Sequence, residues 1–261
     1  MVAEGIDNLI EDLADLSDNY NFIIVHGGGP QINSLYESMG KNPKIFKTPK
    51  GFPTRYTDPE AIDIIKMALT GYVNKTIVEK MQTAGLNAFG FTGADGRTVV
   101  AQRKEKIMVL TDEGKRLILR NEFSGKKAKA NTKMIKLMLE NGLIPVIGST
   151  SISPEGELLN MDGDRVANAI AKELNVDILM SLTDVEGIYK DLESKELIKT
   201  LKMAETDYWL DKLEGGMKKK LYAAIKSIKS GINRVIITSG STKQPISKTL
   251  DGETGTVISL E

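Results

Sequence analysis

The sequence predicts an α/β fold built on a mostly parallel sheet with helices on both faces. Short, continuously apolar runs that end at glycines or acids alternate with helical stretches of about ten residues or more, the pattern of buried parallel strands joined by crossover helices. The 261-residue chain is 41% hydrophobic, enough for a substantial core in one large domain or two lobes.

The elements follow in order. Ile6, Leu9, Ile10, Leu13 and Leu16 share one face at helical spacing, so the chain opens on a helix. Phe22-Ile23-Ile24-Val25 reads as a buried strand that runs into glycines. Pro59 to Ala84 reads as one long helix closed by Gly85, with Ile62, Ile65, Leu69, Tyr72, Val73, Ile77 and Met81 inward. Asn87 to Phe91 is a further strand. Thr98 to Leu110 reads as a hairpin, with Val99, Val100 and Ala101 on one arm and Ile107 to Leu110 on the other. A second cycle follows: helix Asn131 to Asn141, strand Leu143 to Ile147, helix Arg165 to Leu174, strand Asp177 to Leu182, helix Lys219 to Ser230, strand Arg234 to Thr238 and a late strand Thr256 to Leu260. In such a sheet, ligands belong at the carboxyl ends of the strands.

Composition narrows the chemistry. Thirty-five basic residues balance 35 acidic ones, so net charge points to neither nucleic acid nor membrane as a partner. With no cysteine and one histidine, disulfides, thiolate metal sites and a His-based metal cluster are excluded, and a His-centred triad is disfavoured. No run approaches the roughly 18 apolar residues of a membrane span, and the N-terminus lacks a signal-peptide layout, which makes a cytoplasmic protein the expectation.

Five motifs stand at strand ends or helix starts. His26-Gly27-Gly28-Gly29-Pro30-Gln31 follows the first strand; it is either a tight turn or a place where backbone N–H groups meet an anion. The lone His26 is read as a structural hydrogen-bonding residue rather than an acid or base. In Arg55-Tyr56-Thr57-Asp58, Thr57 or Asp58 caps the following helix, with Pro59 in its first turn, while Arg55 is either solvated or suited to bidentate carboxylate recognition. Asn160-Met161-Asp162-Gly163-Asp164 offers caps or a polar constellation at a helix start. Thr183-Asp184-Val185-Glu186-Gly187-Ile188-Tyr189 leaves a strand as a turn or a nucleotide edge. Gly215-Gly216-Met217-Lys218-Lys219-Lys220 places positive charge at a helix start, where the dipole disfavours it and phosphate contact would explain it.

In this order the five motifs resemble the amino acid kinase superfamily and, within it, the N-acetylglutamate kinase family, along essentially the whole chain. The resemblance implies an αβα sandwich (the amino acid kinase fold) with an amino-acid lobe at 1–150 and an ATP lobe at 151–261 around one continuous sheet. It implies ATP, with Mg2+ on the nucleotide, as phosphoryl donor to a side-chain carboxylate. Gly28 and Gly29 would contact the acceptor, Arg55 its α-carboxylate and Asn160 its blocked amino end. Asp164 would organise the catalytic lysines and Lys220 stabilise the transferred charge. Asp184, Gly187, Ile188 and Tyr189, with Gly215, Gly216 and Met217, would line the nucleotide site, and no protein-held metal is implied. A homodimer is implied as well.

Gly51-Phe52-Pro53-Thr54-Arg55-Tyr56-Thr57-Asp58 is similar to the branch that phosphorylates aminoadipate or glutamate joined to LysW, a small acidic amino-group carrier protein. Lys115 to Lys136 holds eight basic residues against one acid, Glu122, which is either a carrier-steering patch or a solvated helix face and loop. Free N-acetylglutamate is the alternative acceptor, and a non-enzymatic binding module the second alternative. Relatives open with a strand ending in Lys-x-Gly-Gly that has no match here, so the fold is expected without that first strand.

Overall fold

The computed structural model describes residues 6–191 and 193–260. In chain order the elements are α1 (Ile6–Leu16), β1 (Ile24–His26), α2 (Gly29–Ser38), β2 (Ile45–Lys47), β3 (Pro53–Arg55), α3 (Pro59–Lys66), a π-helical segment Met67–Val73, α4 (Asn74–Thr83), β4 (Ala88–Thr92), β5 (Val99–Leu110) and β6 (Arg116–Ala130). Next come α5 (Lys133–Glu140), β7 (Ile144–Gly148), β8 (Thr150–Ile152), β9 (Leu158–Asn160), α6 (Gly163–Leu174), β10 (Leu179–Thr183) and β11 (Thr200–Lys202). The chain ends with α7 (Thr206–Lys212), α8 (Gly215–Lys229), β12 (Val235–Ser239), α9 (Pro245–Leu250) and β13 (Thr256–Ser259).

The alternation of strand and helix expected from the sequence is present, and most core strands pair in parallel. Among the described residues the strands pair as β1-β7-β4, all parallel, as β10-β12-β13-β11, and as a six-stranded β3-β2-β5-β6-β9-β8. The chain divides into two compact units. One carries the whole of β10-β12-β13-β11 and comprises the described residues up to Phe22, Glu79–Asn87 and the described residues from Ala171 onward. The other comprises Ile23–Val78 and Ala88–Ile170 and carries the remaining two sheets. A divide near residue 150 is expected from the sequence; the contacts instead keep 151–170 with the strands before it, because β9 pairs in parallel with β6 at Asn160 and Ser124.

Two sequence expectations are corrected. The hairpin is far longer than Thr98 to Leu110: Val99–Leu110 is a single arm, paired antiparallel from Val99↔Ala130 to Leu110↔Arg116. Gly114, at φ 77°, sits in the turn, so the reversal lies at Thr111–Lys115, and β6 is a strand where a helix face and loop were expected. Polar residues on both faces conceal such a strand, since alternation is then absent.

The long helix from Pro59 is also interrupted. Asp58 caps it through Ala61 N–H at 2.9 Å, Pro59 follows, and Gly85 at φ 80° closes it, as expected. Between them, Met67–Val73 widens to a π-helical turn. Leu69, Val73, Ile77 and Met81 remain buried four apart, while Tyr72, expected inward, is 65% exposed. The wider turn shifts the helical phase, which a strict 3.6-residue reading does not anticipate.

In the unit containing β10, a core of Leu201, Leu221, Ile225, Ile228, Val235, Ile237 and Ile258 packs α8 on the sheet, with Trp209 against it. Asp12 of α1 is buried here; its carboxylate accepts from Ile246 N–H at 2.6 Å, Ser247 N–H at 2.9 Å and the Ser247 hydroxyl, capping α9. Asp12→Ala leaves those donors buried and unpaired, and is expected to lower the stability of this unit by about 2–3 kcal/mol. Urea unfolding followed through Trp209, the only tryptophan, checks it.

Candidate active site

In the unit containing β1, three segments meet at the carboxyl ends of β1 and β7. His26 O accepts from Ser149 N–H at 3.0 Å, and Ser149 O accepts from Met161 N–H at 3.1 Å, so the glycine run and the Asn160–Asp164 loop lie side by side. A Cβ built on Gly163 would stand 3.6 Å from Gly27 N. Gly28 closes against the π-helical turn, where a Cβ would meet Leu69 Cδ2 at 2.7 Å and Val73 Cγ2 at 3.0 Å. Gly28 has an extended φ of 174°, so glycine is required there by crowding, not by backbone conformation. Gly29 then opens α2, with nothing within 4 Å of where its Cβ would be.

Asn74, the first residue of α4, ties this end together. Its buried amide nitrogen, with two hydrogens, lies 3.0 Å from both Val146 O and His26 Nε2, with Phe91 O at 3.3 Å sharing one of the two. His26 Nδ1 is 2.9 Å from Gly27 O, an acceptor, so Nδ1 carries the proton and Nε2 accepts from Asn74. Both ring nitrogens are thereby used, in keeping with the structural role expected for His26. Burial pulls the imidazole pKa below its usual value, opposed by the Gly27 carbonyl.

Arg55 ends β3 beside α2. Its Nη2 donates to Asn33 Oδ1 at 2.6 Å and the guanidinium lies 5.4 Å from the Tyr36 ring centroid, while Nη1 is buried with no protein partner. Burial lowers the pKa of this guanidinium, so an added carboxylate would be favoured by charge and by the orphaned donor. Thr57 links Arg55 to the next motif: Asn160 Nδ2 donates to Thr57 Oγ1 at 3.1 Å. Gly28, Gly29, Arg55 and Asn160 thus surround one end of one unit, with Asp164 in the first turn of α6.

The remaining predicted residues lie in the other unit. Asp184 follows β10 and receives a hydrogen bond from the Thr183 hydroxyl at 2.9 Å. Gly187 packs tightly, since a Cβ would meet Leu197 Cδ1 and Thr256 Oγ1, both at 2.7 Å, and Ile188 N–H donates to Thr256 Oγ1 at 2.8 Å. Ile188 is buried and Tyr189 forms a bridge with Leu197. Gly215 and Gly216 start α8 exposed, with nothing within 4 Å of either Cβ position, and Glu214 at the N-cap contributes no side-chain cap. Met217 packs on the core. Lys220, one turn on, donates from Nζ to Ser181 Oγ at 3.0 Å and Leu182 O at 2.9 Å, at the carboxyl end of β10. The uncapped helix start fits a phosphate group.

The pattern of the amino acid kinase family matches residues 2–239. This chain belongs to that family. It is 34% identical over 259 residues to the LysW-aminoadipate/LysW-glutamate kinase of Saccharolobus islandicus (strain L.S.2.15 / Lassen #1), covering 99% of this chain and 96% of that one. A Nitrosopumilus maritimus (strain SCM1) protein that bears the same name provisionally is 34% identical over 252 residues, 97% and 93% of the two chains. Among solved structures, smu.665 from Streptococcus mutans UA159 superposes with a TM-score of 0.74 at 24% identity, covering 98% and 92%, and Giardia carbamate kinase with 0.67 at 17%, covering 98% and 90%. These likenesses show the α/β fold expected from the sequence.

Sequence reasoning missed Asn74 and Glu122. Asn74 lies within an apolar helical pattern, where a polar residue looks like a solvated position. Glu122 looked like one acid diluted in a basic run.

His26 gives a prediction for pH. Its folded-state pKa is below that of the unfolded chain, near 6.5, so the unfolded chain binds the extra proton first. The contribution is fully present above about pH 6.5 and is lost as pH falls through the folded value. His26→Gln is expected to flatten this part of the stability profile, measured as thermal midpoints between about pH 7 and 5.

Proposed function

We propose that this protein transfers the γ-phosphoryl group of ATP to the side-chain carboxylate of aminoadipate or glutamate whose amino group is held by a small acidic carrier protein. The observation that carries the carrier-linked reading is the surface of Lys115 to Lys136. Lys115, Arg116, Arg120, Lys126, Lys127, Lys129, Lys133 and Lys136 are all exposed, while the one acid among them, Glu122, is wholly buried. Solvent therefore meets only positive charge along this stretch, which favours an acidic partner. The names of the two similar kinases, which include LysW, support the same substrate class.

The chemistry suits the residues. The acceptor carboxylate is already ionised at neutral pH, so no general base is needed. One of its oxygens forms a bond to the γ-phosphorus as the bond to the β-bridging oxygen breaks, leaving ADP and an acyl phosphate. Arg55 would hold the α-carboxylate, Asn160 the blocked amino end, and Gly28 and Gly29 would face the reacting carboxylate with backbone N–H groups. Lys220 would offset developing charge, and the α8 start with 184–189 would hold the nucleotide. Mg2+ would arrive on the ATP phosphates, whose charge it neutralises. Among the described residues no group of three or more His, Cys, Asp or Glu could hold a metal. Likewise, no described helix is long and apolar enough to cross a membrane. A homodimeric assembly, carried over from the family resemblance, completes the proposal.

Trapping the acyl phosphate as a hydroxamate, with carrier-linked aminoadipate and free N-acetylglutamate as rival acceptors, tests the reading. Turnover of the carrier-linked acceptor alone is expected; preference for the free amino acid would overturn the carrier assignment. Arg55→Ala is expected to raise acceptor KM about 100-fold with ATP KM little changed, and Lys220→Ala to lower kcat about 100- to 1,000-fold. Arg116→Glu with Arg120→Glu is expected to raise KM for the carrier-linked acceptor, with a weaker salt dependence than the unaltered protein shows.

A further inference from the structure

Glu122 is a buried acid on a strand whose neighbours are exposed lysines and arginines, and no feature of the overall fold requires a charge there. Its relative exposure is 0%. One carboxylate oxygen accepts from Thr57 N–H at 3.1 Å, and the other from the Ser124 hydroxyl. Thr57 is itself fully buried and lies between the end of β3 and the cap of α3, where no strand partner is available for its N–H. The carboxylate supplies that partner.

The segments around it form one clasp. Phe123 N–H donates to Thr57 O at 2.7 Å, and Tyr56 donates from its hydroxyl to Arg120 O at 2.5 Å. Residues 120–124 therefore grip residues 56–57 at three points, next to Arg55. The same threonine offers its Oγ1 to Asn160, which is the register partner of Ser124. On the other side, Arg103 holds this part of β6: its Nε donates to the Glu122 carbonyl at 2.8 Å, its Nη2 to the Asn121 side-chain Oδ1 at 2.8 Å, and its guanidinium lies 3.6 Å from the Phe123 ring centroid. The ladder shifts register around the Glu105↔Glu122 pair, with Glu105 and Asn121 at φ of 57° and 58°, so strand pairing alone does not hold this point.

We propose that Glu122 is a positioning residue for the acceptor end of the site: its carboxylate sets where residues 55–57 lie and, through Thr57, how Asn160 is oriented. It touches no substrate and acts through those side chains. Burial raises its pKa, opposed by the Ser124 hydroxyl, Thr57 N–H and the charge of Lys104, whose own pKa burial lowers. A charge kept at such a place suits fixing one arrangement among several more than adding stability. The inference rests on the acceptor roles proposed for Arg55 and Asn160.

Steady-state kinetics of Glu122→Ala, Glu122→Gln and Thr57→Val, with acceptor and ATP varied separately, test it alongside thermal midpoints. Glu122→Ala is expected to raise acceptor KM by about tenfold or more, with ATP KM within about twofold. Glu122→Gln should stay near the unaltered protein, because its carbonyl can accept from Thr57 N–H while its amide donates to the Ser124 hydroxyl. Thr57→Val removes only the bond to Asn160 and should move acceptor KM in the same direction with little change in midpoint; it decides the matter if Glu122→Ala does not fold. A lowered midpoint with unchanged acceptor KM, or Glu122→Gln as impaired as Glu122→Ala, would overturn the positioning role. Absence of turnover by the unaltered protein would instead overturn the kinase reading on which it rests.

Discussion

The Asn74 amide lies where three parallel strands end, and its bonds reach β1 through His26, β4 through Phe91 O and β7 through Val146 O. A side chain in a helix can serve strands this way only if the helix comes very close to the sheet. Gly90 makes the approach possible, since any Cβ there would collide with Asn74 and with Val78. The π-helical turn before Asn74 sets its direction, and Leu69 and Val73 of that turn crowd Gly28. The place of the glycine run thus follows from packing behind it. In a buried setting, each of these polar groups would cost more unpaired than its bond contributes when made, so the arrangement is closely specified.

From that fixed end the polar residues are added by short links. Ser149 joins the glycine run to the segment that follows Asn160 at the end of β9, Thr57 joins Asn160 to the segment that follows Arg55 at the end of β3, and Glu122 ties that segment to the β6 arm of the long hairpin. Phosphoryl transfer asks for geometry and charge rather than for a reactive protein group. A scaffold of hydrogen-bonded backbone with one uncommitted guanidinium nitrogen matches that demand better than a triad would. The other unit follows the same economy: Lys220 and the uncapped start of α8 stand at the carboxyl end of its strands, on a core of branched aliphatic side chains.

Much of this is legible in the sequence. The runs ending at Val25, Phe91, Ile147, Leu182 and Thr238 each became a strand within one or two residues, because short, mostly apolar runs bounded by turn residues suit strands of a parallel sheet that helices largely cover. Asp58-Pro59 and Gly85 gave the ends of the helical stretch for local reasons, a side-chain cap and a positive φ. The polar strand β6 and the π-helical turn were not legible, since neither leaves a period that differs from that of a loop or a regular helix.

The sequence by itself determined the order of the apolar core strands and the helices between them, both ends of the helical stretch from Pro59 to Ala84, the motifs and the family, since each depends on neighbours in the chain or on the order of short segments. Tertiary structure alone decided what those residues do for one another. That His26 Nε2 is committed to Asn74, that Arg55 keeps an orphaned donor, and that Glu122 turns inward to Thr57 while eight cations of the same stretch face water depend on partners 48 and 65 residues apart or on burial. Linear spacing carries no information about such partners, because they are brought together by the closing of the core, not by the local preferences of the chain.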